Sequence, residues 1–561
     1  MSALHPLLAA LAAIALVPLV ATARVQEPAG VESIRATLVL VLPLASAAAS
    51  AILIATNRVL GRRSLRVDAI SFGLALAVIA RLLVAPVTRD GAGLVLVLAL
   101  ALRLAPALWI AIVDRHSGAG LAFAISVVAY AAIAMWGLVG MAAQGDQPHY
   151  LLAAEALRNG TTDVDVAYAE AQRYESLAQQ PLTDEDRATH LVTVRGGSRL
   201  LQGYGLPLVL LPGWSIAGRA GAVLTIALIA AYASAQTQRL ARDVAGDSAT
   251  TRAAWALFAF TVPFLSFATE VFPNALGAAL LVSVARWGIV PGGAPVAAAI
   301  AAGLTLFLTP RDGMTAALLV LAALVLGRGR LKLVATGVVM VALACAVAFL
   351  VYGVPLPYAG YFLGAAQVDR ISDAKLVGLR PDIALPGMLF DRAFGLAGTA
   401  PWVFAGALGI APLLRRDRRH GFTLLAVVLA TIAALALYGP WQGGWSPPNR
   451  YTTELLPLWA PFVAVGLASA VALWQRAIVA ILVVPSLVAS LWLAAITRLA
   501  YSGNESELVR WLSKYLPQGP LTWLPSFAVD PLASAELRSI ALALGVAALI
   551  ALGMRRGRRV A

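Results

Sequence analysis

An all-α fold that crosses a membrane many times is what this sequence predicts, on three observations. Hydrophobic residues fill 60% of its 561 positions and charged residues only 12%, so lipid rather than water must be the solvent for most of its surface. Apolar stretches of about 20 residues, the length that crosses the hydrocarbon, recur roughly sixteen times. Their centres lie near Ala13, Ser46, Leu76, Leu100, Val128, Ala227, Phe260, Leu280, Gly303, Val320, Val341, Ala407, Leu429, Val463, Leu487 and Ala543. Arginine-rich clusters then punctuate alternate connections, at 57–66, 114–116, 238–243, 328–332, 415–420 and 554–559. Such clusters belong on the cytoplasmic side. With sixteen spans and both termini inside, every one of them falls there, which places the protein in a bacterial inner membrane with its long polar loops outward.

Two function classes are excluded early. The single cysteine, Cys345, sits in an apolar run, so no intrachain disulfide can form and thiol redox chemistry is not expected. The formal charge of +14 comes from loops that set orientation and meet anionic headgroups, not from a nucleic-acid surface.

In chain order, residues 1–118 supply four spans. The first resembles a signal peptide with a small-residue end but lacks basic residues before its apolar run; cleaved or retained, it leaves the remaining orientation unchanged. Arg81 and Arg103 lie at membrane depth, where a charge must face protein or water or snorkel to the interface. Residues 119–475 form the transmembrane core, with external loops at 142–205 and 354–396. Residues 476–561 add the last spans, with an external loop at 499–534. No internal repeat divides the chain.

The first external loop opens with QGDQPHYLLAAEALRNG, residues 144–160. Asp146, followed by Gln147 and Pro148, suits a helix start: the carboxylate can accept backbone N–H groups as an N-cap, and Pro is tolerated in the first turn. It also suits a catalytic acid, because a helix start fixes the direction of its side chain. The run after it predicts an amphipathic helix ending at Gly160, with Leu151, Leu152 and Leu157 on the apolar face. A second helix is expected within 164–180, lying on the membrane surface. The stretch 199–214 then returns to the bilayer through Gly203, Gly205, Pro207 and Pro212. Such breaks imply non-helical backbone at membrane depth, tolerated beside a cavity.

Other outward connections carry residues that greasy hairpins do not need. Glu270 stands in ATEVFPN, Arg311 and Asp312 in LTPRDG, Asp391 and Arg392 in FDRAFG. The stretch WQGGWSPPNRYTTE brings Arg450, Tyr451 and Glu454 together with two tryptophans. Each alone is explained by interfacial aromatics or local ion pairs. Together, carboxylates, arginines and aromatics on one face suit an anionic, lipid-linked sugar.

These residues resemble the GT-C superfamily of polytopic glycosyltransferases, in particular the bacterial relatives of protein O-mannosyltransferases and lipid A aminoarabinose transferases. The resemblance rests on GDQPHY at the start of the first external loop, GYGLPLVLLPGW after it, and the later FDRAFG and WQGGWSPPNRY, and covers roughly 135–475. It implies an enzyme that moves a sugar, with inversion, from a polyprenyl-phosphate donor to a lipid, glycan or protein acceptor at the outer face. It makes Asp146 the catalytic carboxylate, the general base on the acceptor hydroxyl. His149, Tyr150, Tyr204, Glu270, Arg311, Asp391, Arg450 and Tyr451 are the expected substrate-binding residues, with Arg311 and Arg450 on the phosphate. Many members carry a Glu after the acid, where this chain has Gln147. No cofactor is called for, and a divalent cation is the one addition left open; no nucleotide loop is present, so the activated donor supplies the energy. A transporter or flippase, and a lipid-linked polysaccharide polymerase or ligase, are the competing classes.

Overall fold

The computed structural model describes residues 118–169, 171–178, 181–327, 329–368, 381–437, 441–496, 500–501, 506–513 and 523–556. It divides into two compact units, one of residues 1–118 with 491–496 and one of residues 119–490 with 497–561. Of the first, only Gly118 and residues 491–496 are described, the latter largely as the end of helix Leu473–Ala495. The four expected N-terminal spans, Arg81 and Arg103 lie outside the described residues.

The second unit is helical. Among the described residues six helices are long and apolar enough to cross a membrane, within Ala119–Leu138, Gly205–Ala245, Arg330–Tyr352, Arg418–Ala436, Leu473–Ala495 and Leu532–Met554. The protein is a multi-pass membrane protein. The expected centres from Val128 onward all fall on helices, but several of these helices are short: Asn274–Gly288 has 15 residues, Ala405–Arg416 has 12 and Pro295–Leu304 has 10. Proline fixes several of these starts, at Pro273 and Pro295, because it lacks the N–H that a helix interior needs.

Gly205–Ala245 packs against Ala119–Gly140, Asn274–Gly288 and Leu456–Ser469, and Ala405–Arg416 packs against Leu456–Ser469 and Leu532–Arg556. Polar groups inside this bundle satisfy one another, as lipid requires. Ser126 and Ser234 hydroxyls bond at 2.8 Å, Trp255 Nε1 donates to Ser234 at 2.8 Å, and Tyr130 donates to the Ala259 carbonyl at 2.8 Å. Helix Arg330–Tyr352 instead turns Leu331, Val338, Val339 and Leu350 outward, as a lipid-facing helix does.

The break expected near Pro212 occurs a little later. Both Pro207 and Pro212 are accommodated in helix, and the chain reverses at Ala217 and Gly218. Gly218 takes φ +55°, a conformation that favours glycine. The surface helix expected within 164–180 is two short ones, Asp165–Tyr168 and Ala171–Ala178. Residues 191–194 and 197–200 form an antiparallel hairpin that periodicity did not predict; its signal is Gly196, which takes φ +85° in the two-residue turn 195–196.

The two ends of the bundle differ in chemistry. At one end arginines cover exposed helix C-termini: Arg416 donates to Ala245 O at 2.8 Å, Arg419 to Leu326 O at 2.8 Å and Arg415 to Met554 O at 2.7 Å. Positive charge at a helix C-terminus is favourable. Helices Asn274–Gly288 and Pro310–Leu326 run toward that end from the other, where Asn274 and Arg311 lie in their first turns. The polar cluster described next lies there.

Candidate active site

Helix Gln147–Arg158 starts the site. Gly145 precedes it at φ +54°, with the Trp445 carbonyl pressed so close to its α-carbon that a side chain has no room. Asp146 follows with helical dihedrals, φ −73° and ψ −10°, and its side chain makes no capping bond. The N-cap expectation is therefore corrected: from this backbone the carboxylate does not fold back over the first turn. It points to Arg450, which it pairs with across 304 residues, and to His190 Nε2 at 3.4 Å.

The amphipathic expectation for this helix is also corrected. Gln147 through Ala156 are all buried, Leu151 and Leu152 completely, so its polar face meets protein rather than water. Gln147 donates to Glu270 at 3.1 Å and to the Tyr501 hydroxyl at 2.5 Å, and its carbonyl accepts from Val271 N at 3.3 Å. Tyr501 also donates to Glu270. Gln147 is thus a bracket holding the Glu270 loop.

Arg450 is aimed by its own loop. Asn449 anchors that loop through Thr399 at 2.8 Å, and Arg450 Nη1 donates to Gly443 O at 3.0 Å while the guanidinium lies 5.3 Å from the centre of the Phe272 ring. Asn274 joins this loop to the next pair, donating to the Arg450 carbonyl at 2.5 Å and to Glu454 at 2.8 Å. Glu454 in turn accepts from Arg311 at 2.7 Å, and Arg311 sits 4.8 Å from the centre of the Tyr451 ring. Two arginines from distant segments therefore share one polar cluster. It is not sealed, since the Asp146 and Arg450 side chains keep 14% and 12% of their exposure.

The structure gathers Asp146, His149, Tyr150, Glu270, Arg311, Arg450 and Tyr451 into this region. His149 lies beside it, stacked on His190 with ring centres 3.6 Å apart and bonded to the Tyr168 hydroxyl. Tyr150 is buried one turn along the Asp146 helix, within electrostatic reach of Asp146, Arg450 and Arg311. Two expected residues are placed elsewhere. Tyr204 spends its hydroxyl on Leu200 N and the Thr162 carbonyl, tying down the hairpin. Asp391 accepts from Ala393 N at 2.7 Å, Phe394 N at 3.0 Å and Phe527 N at 2.8 Å, which makes it a clamp between its own turn and the segment at Phe527. His190, Gln147, Asn274 and Tyr501 were not among the expected site residues. Their contacts span more than a hundred positions in most cases, and a lone polar residue in a loop carries no local mark of such a partner.

Charge follows from these contacts. Burial by itself would raise the Asp146 carboxyl, but the Arg450 guanidinium beside it outweighs that and holds the carboxyl well below the usual carboxylate range. Burial, with His190 alongside, holds His149 well below the usual imidazole value, so it is neutral at pH 7. Burial pushes Glu270 up to about 7, against the hydrogen bonds from Tyr501 and Gln147 and the charge of Arg219.

A pH-dependent stability follows for Glu270. Its folded value lies above the ordinary 4.5, so its contribution is fully present below about 4.5 and is lost as pH rises through about 7. The loss is on the order of 3 kcal/mol. Glu270→Gln, neutral throughout, is expected to melt above wild type at pH 8 and level with it near pH 4. Thermal unfolding in detergent at both values checks this, and an equal shift at each would contradict it.

Among the described residues no group of three or more His, Cys, Asp or Glu side chains could hold a metal ion. An apolar cavity of about 50 Å³ is lined by Tyr204, Phe307, Ala348, Val351, Tyr358 and Tyr361 among others, none of them a residue of the cluster. Tyr358 abuts Gly313 in the first turn of the Arg311 helix.

No family model matches the chain and no curated protein matches it. Among solved structures it is similar to ArnT from Cupriavidus metallidurans bound to undecaprenyl phosphate, at 15% identity over 77% of this chain and 76% of that one, with a TM-score of 0.40. It is also similar to the archaeal oligosaccharyltransferase AglB from Archaeoglobus fulgidus in complex with an inhibitory peptide and a dolichol-phosphate. That likeness has 14% identity over 71% of this chain and 58% of that one, with a TM-score of 0.38.

Proposed function

We propose that this chain is a membrane glycosyltransferase of the GT-C type, moving a sugar from a polyprenyl-phosphate donor to an acceptor at the outer face of the membrane. The observation that carries this reading is the pairing of Asp146 with Arg450, which joins the Asp-x-Pro-x-Tyr motif to the WQGGWSPPNRY segment. It lies at the bundle end opposite the arginine-capped helix termini, which the distribution of basic residues assigns to the cytoplasm. The apolar cavity whose wall residue Tyr358 abuts Gly313, two residues after Arg311, is lined also by the lipid-facing helix Arg330–Tyr352 and suits an isoprene group of the donor.

The chemistry is a displacement with inversion. The acceptor oxygen attacks the anomeric carbon, the bond from that carbon to the phosphate oxygen breaks, and its electron pair leaves on the lipid phosphate. Asp146 takes the acceptor proton as general base. In the resting site it is a poor base, because Arg450 stabilises its charged form. A phosphate offers Arg450 more charge and more acceptor oxygens than the single carboxylate oxygen it now holds. Donor binding therefore draws Arg450 from the carboxylate to the phosphate, which makes Asp146 basic only once a donor is present. Arg311, half-committed to Glu454, is the second cation within reach of the leaving phosphate.

Binding of undecaprenyl phosphate to the full-length protein in nanodiscs tests the reading at its donor side. Saturable binding that Arg450→Ala removes supports it, and absence of binding to wild type counts against it.

A further inference from the structure

We propose that His190 is a positioning residue that acts through Asp146, holding the proton that Asp146 removes from the acceptor. This rests on the transferase reading above.

His190 ends the short helix Asp184–His190, whose start is fixed by a reciprocal capping box between Thr183 and Asp186. Its ring is held on three sides. Nδ1 lies 2.9 Å from the Asp186 carbonyl and 3.0 Å from the Thr189 hydroxyl, Nε2 lies 3.4 Å from Asp146 Oδ1, and the His149 ring stacks on one face with the planes 9° apart. A backbone carbonyl can only accept, so Asp186 selects the tautomer with hydrogen on Nδ1. The lone pair of Nε2 then faces the carboxylate. That arrangement makes no strong bond at rest, in keeping with the 3.4 Å separation, and closes into a charge-assisted hydrogen bond once a proton arrives between the two.

Both ring nitrogens are thus engaged with protein atoms, so His190 has none to offer a substrate. Its route to the reaction is Asp146. As an acceptor lone pair bonds to the anomeric carbon and the bond to the phosphate oxygen breaks onto the lipid phosphate, the O–H pair stays on the acceptor oxygen and the proton goes to Asp146. It then passes to Nε2, using the ring lone pair and leaving Asp146 ionised and the ring an imidazolium. His149, neutral and face to face with it, lets that charge form without a second cation in the stack. The His190 side chain keeps 16% of its exposure, an edge by which the proton leaves to water.

The test uses full-length protein in nanodiscs supplied with total lipid extracted from the membranes of the cell that makes it, and reads free polyprenyl phosphate by mass spectrometry. For His190→Ala, turnover at saturating lipid is expected to fall roughly 100-fold. Affinity for undecaprenyl phosphate should stay within about threefold of wild type, and added imidazole should restore part of the turnover. Turnover within threefold of wild type overturns the assignment. So does loss of turnover and of phosphate binding together without imidazole rescue, which would make His190 a structural residue. A wild-type protein that releases no polyprenyl phosphate overturns the transferase reading itself, and is told apart from failure of His190 by that control.

Discussion

Asp146→Asn is expected to abolish sugar transfer, by about a thousandfold or more, while tightening the binding of undecaprenyl phosphate by about tenfold. The first effect is the loss of a general base, which contributes roughly 100- to 10,000-fold. The second is specific to the contact found here. Arg450 is engaged with the carboxylate before any donor arrives, so a phosphate must displace a charged competitor. Removing that charge leaves the guanidinium available, and a tenfold gain corresponds to about 1.4 kcal/mol, a modest fraction of a partly buried charged pair. Equilibrium binding in nanodiscs, paired with a thermal melt to establish folding, measures it. Weaker binding in a well-folded Asp146→Asn protein would mean that the pair supports the loop rather than competing with the donor.

Arg450→Ala is expected to have the opposite signature. Undecaprenyl phosphate binding should fall by roughly 100-fold, because a bidentate, charge-assisted contact is lost, and transfer should fall with it. Asp146 then loses its main stabilising charge. Arg450→Lys should recover only part of the affinity, since an ammonium cannot present the planar fork. If Arg450→Ala binds the lipid phosphate as wild type does, the phosphate is held elsewhere, with Arg311 the first alternative.

The contrast between what the sequence discloses and what needs coordinates is instructive at particular residues. The lipid-facing character of 330–352 and the helix at 147–158 are legible, because a long apolar run and a Pro in a first turn act locally. The Asp-x-Pro-x-Tyr motif marks the right segment for the same reason. What Asp146 does with its side chain is not legible: the cap reading follows from neighbours in sequence, whereas the actual partner is 304 positions away. Asp391 and Tyr204 illustrate the converse. Their residue types suit a sugar site, yet backbone N–H and carbonyl groups within the fold claim them, a demand that no single-residue reading exposes. His190 lies outside any motif and reaches Asp146 only because a capping box and a Gly-Gly hairpin set the course of the chain on either side of it.

The central claim is that Asp146 and Arg450 together form a site for transfer from a lipid phosphate. Release of polyprenyl phosphate from total native lipid, by the full-length protein in nanodiscs, tests it most directly. Release by wild type is expected, with none above background from Asp146→Asn and stronger retention of undecaprenyl phosphate by that variant. Equal release by wild type and Asp146→Asn, or movement of the intact lipid-linked sugar across sealed vesicles without release, would contradict it.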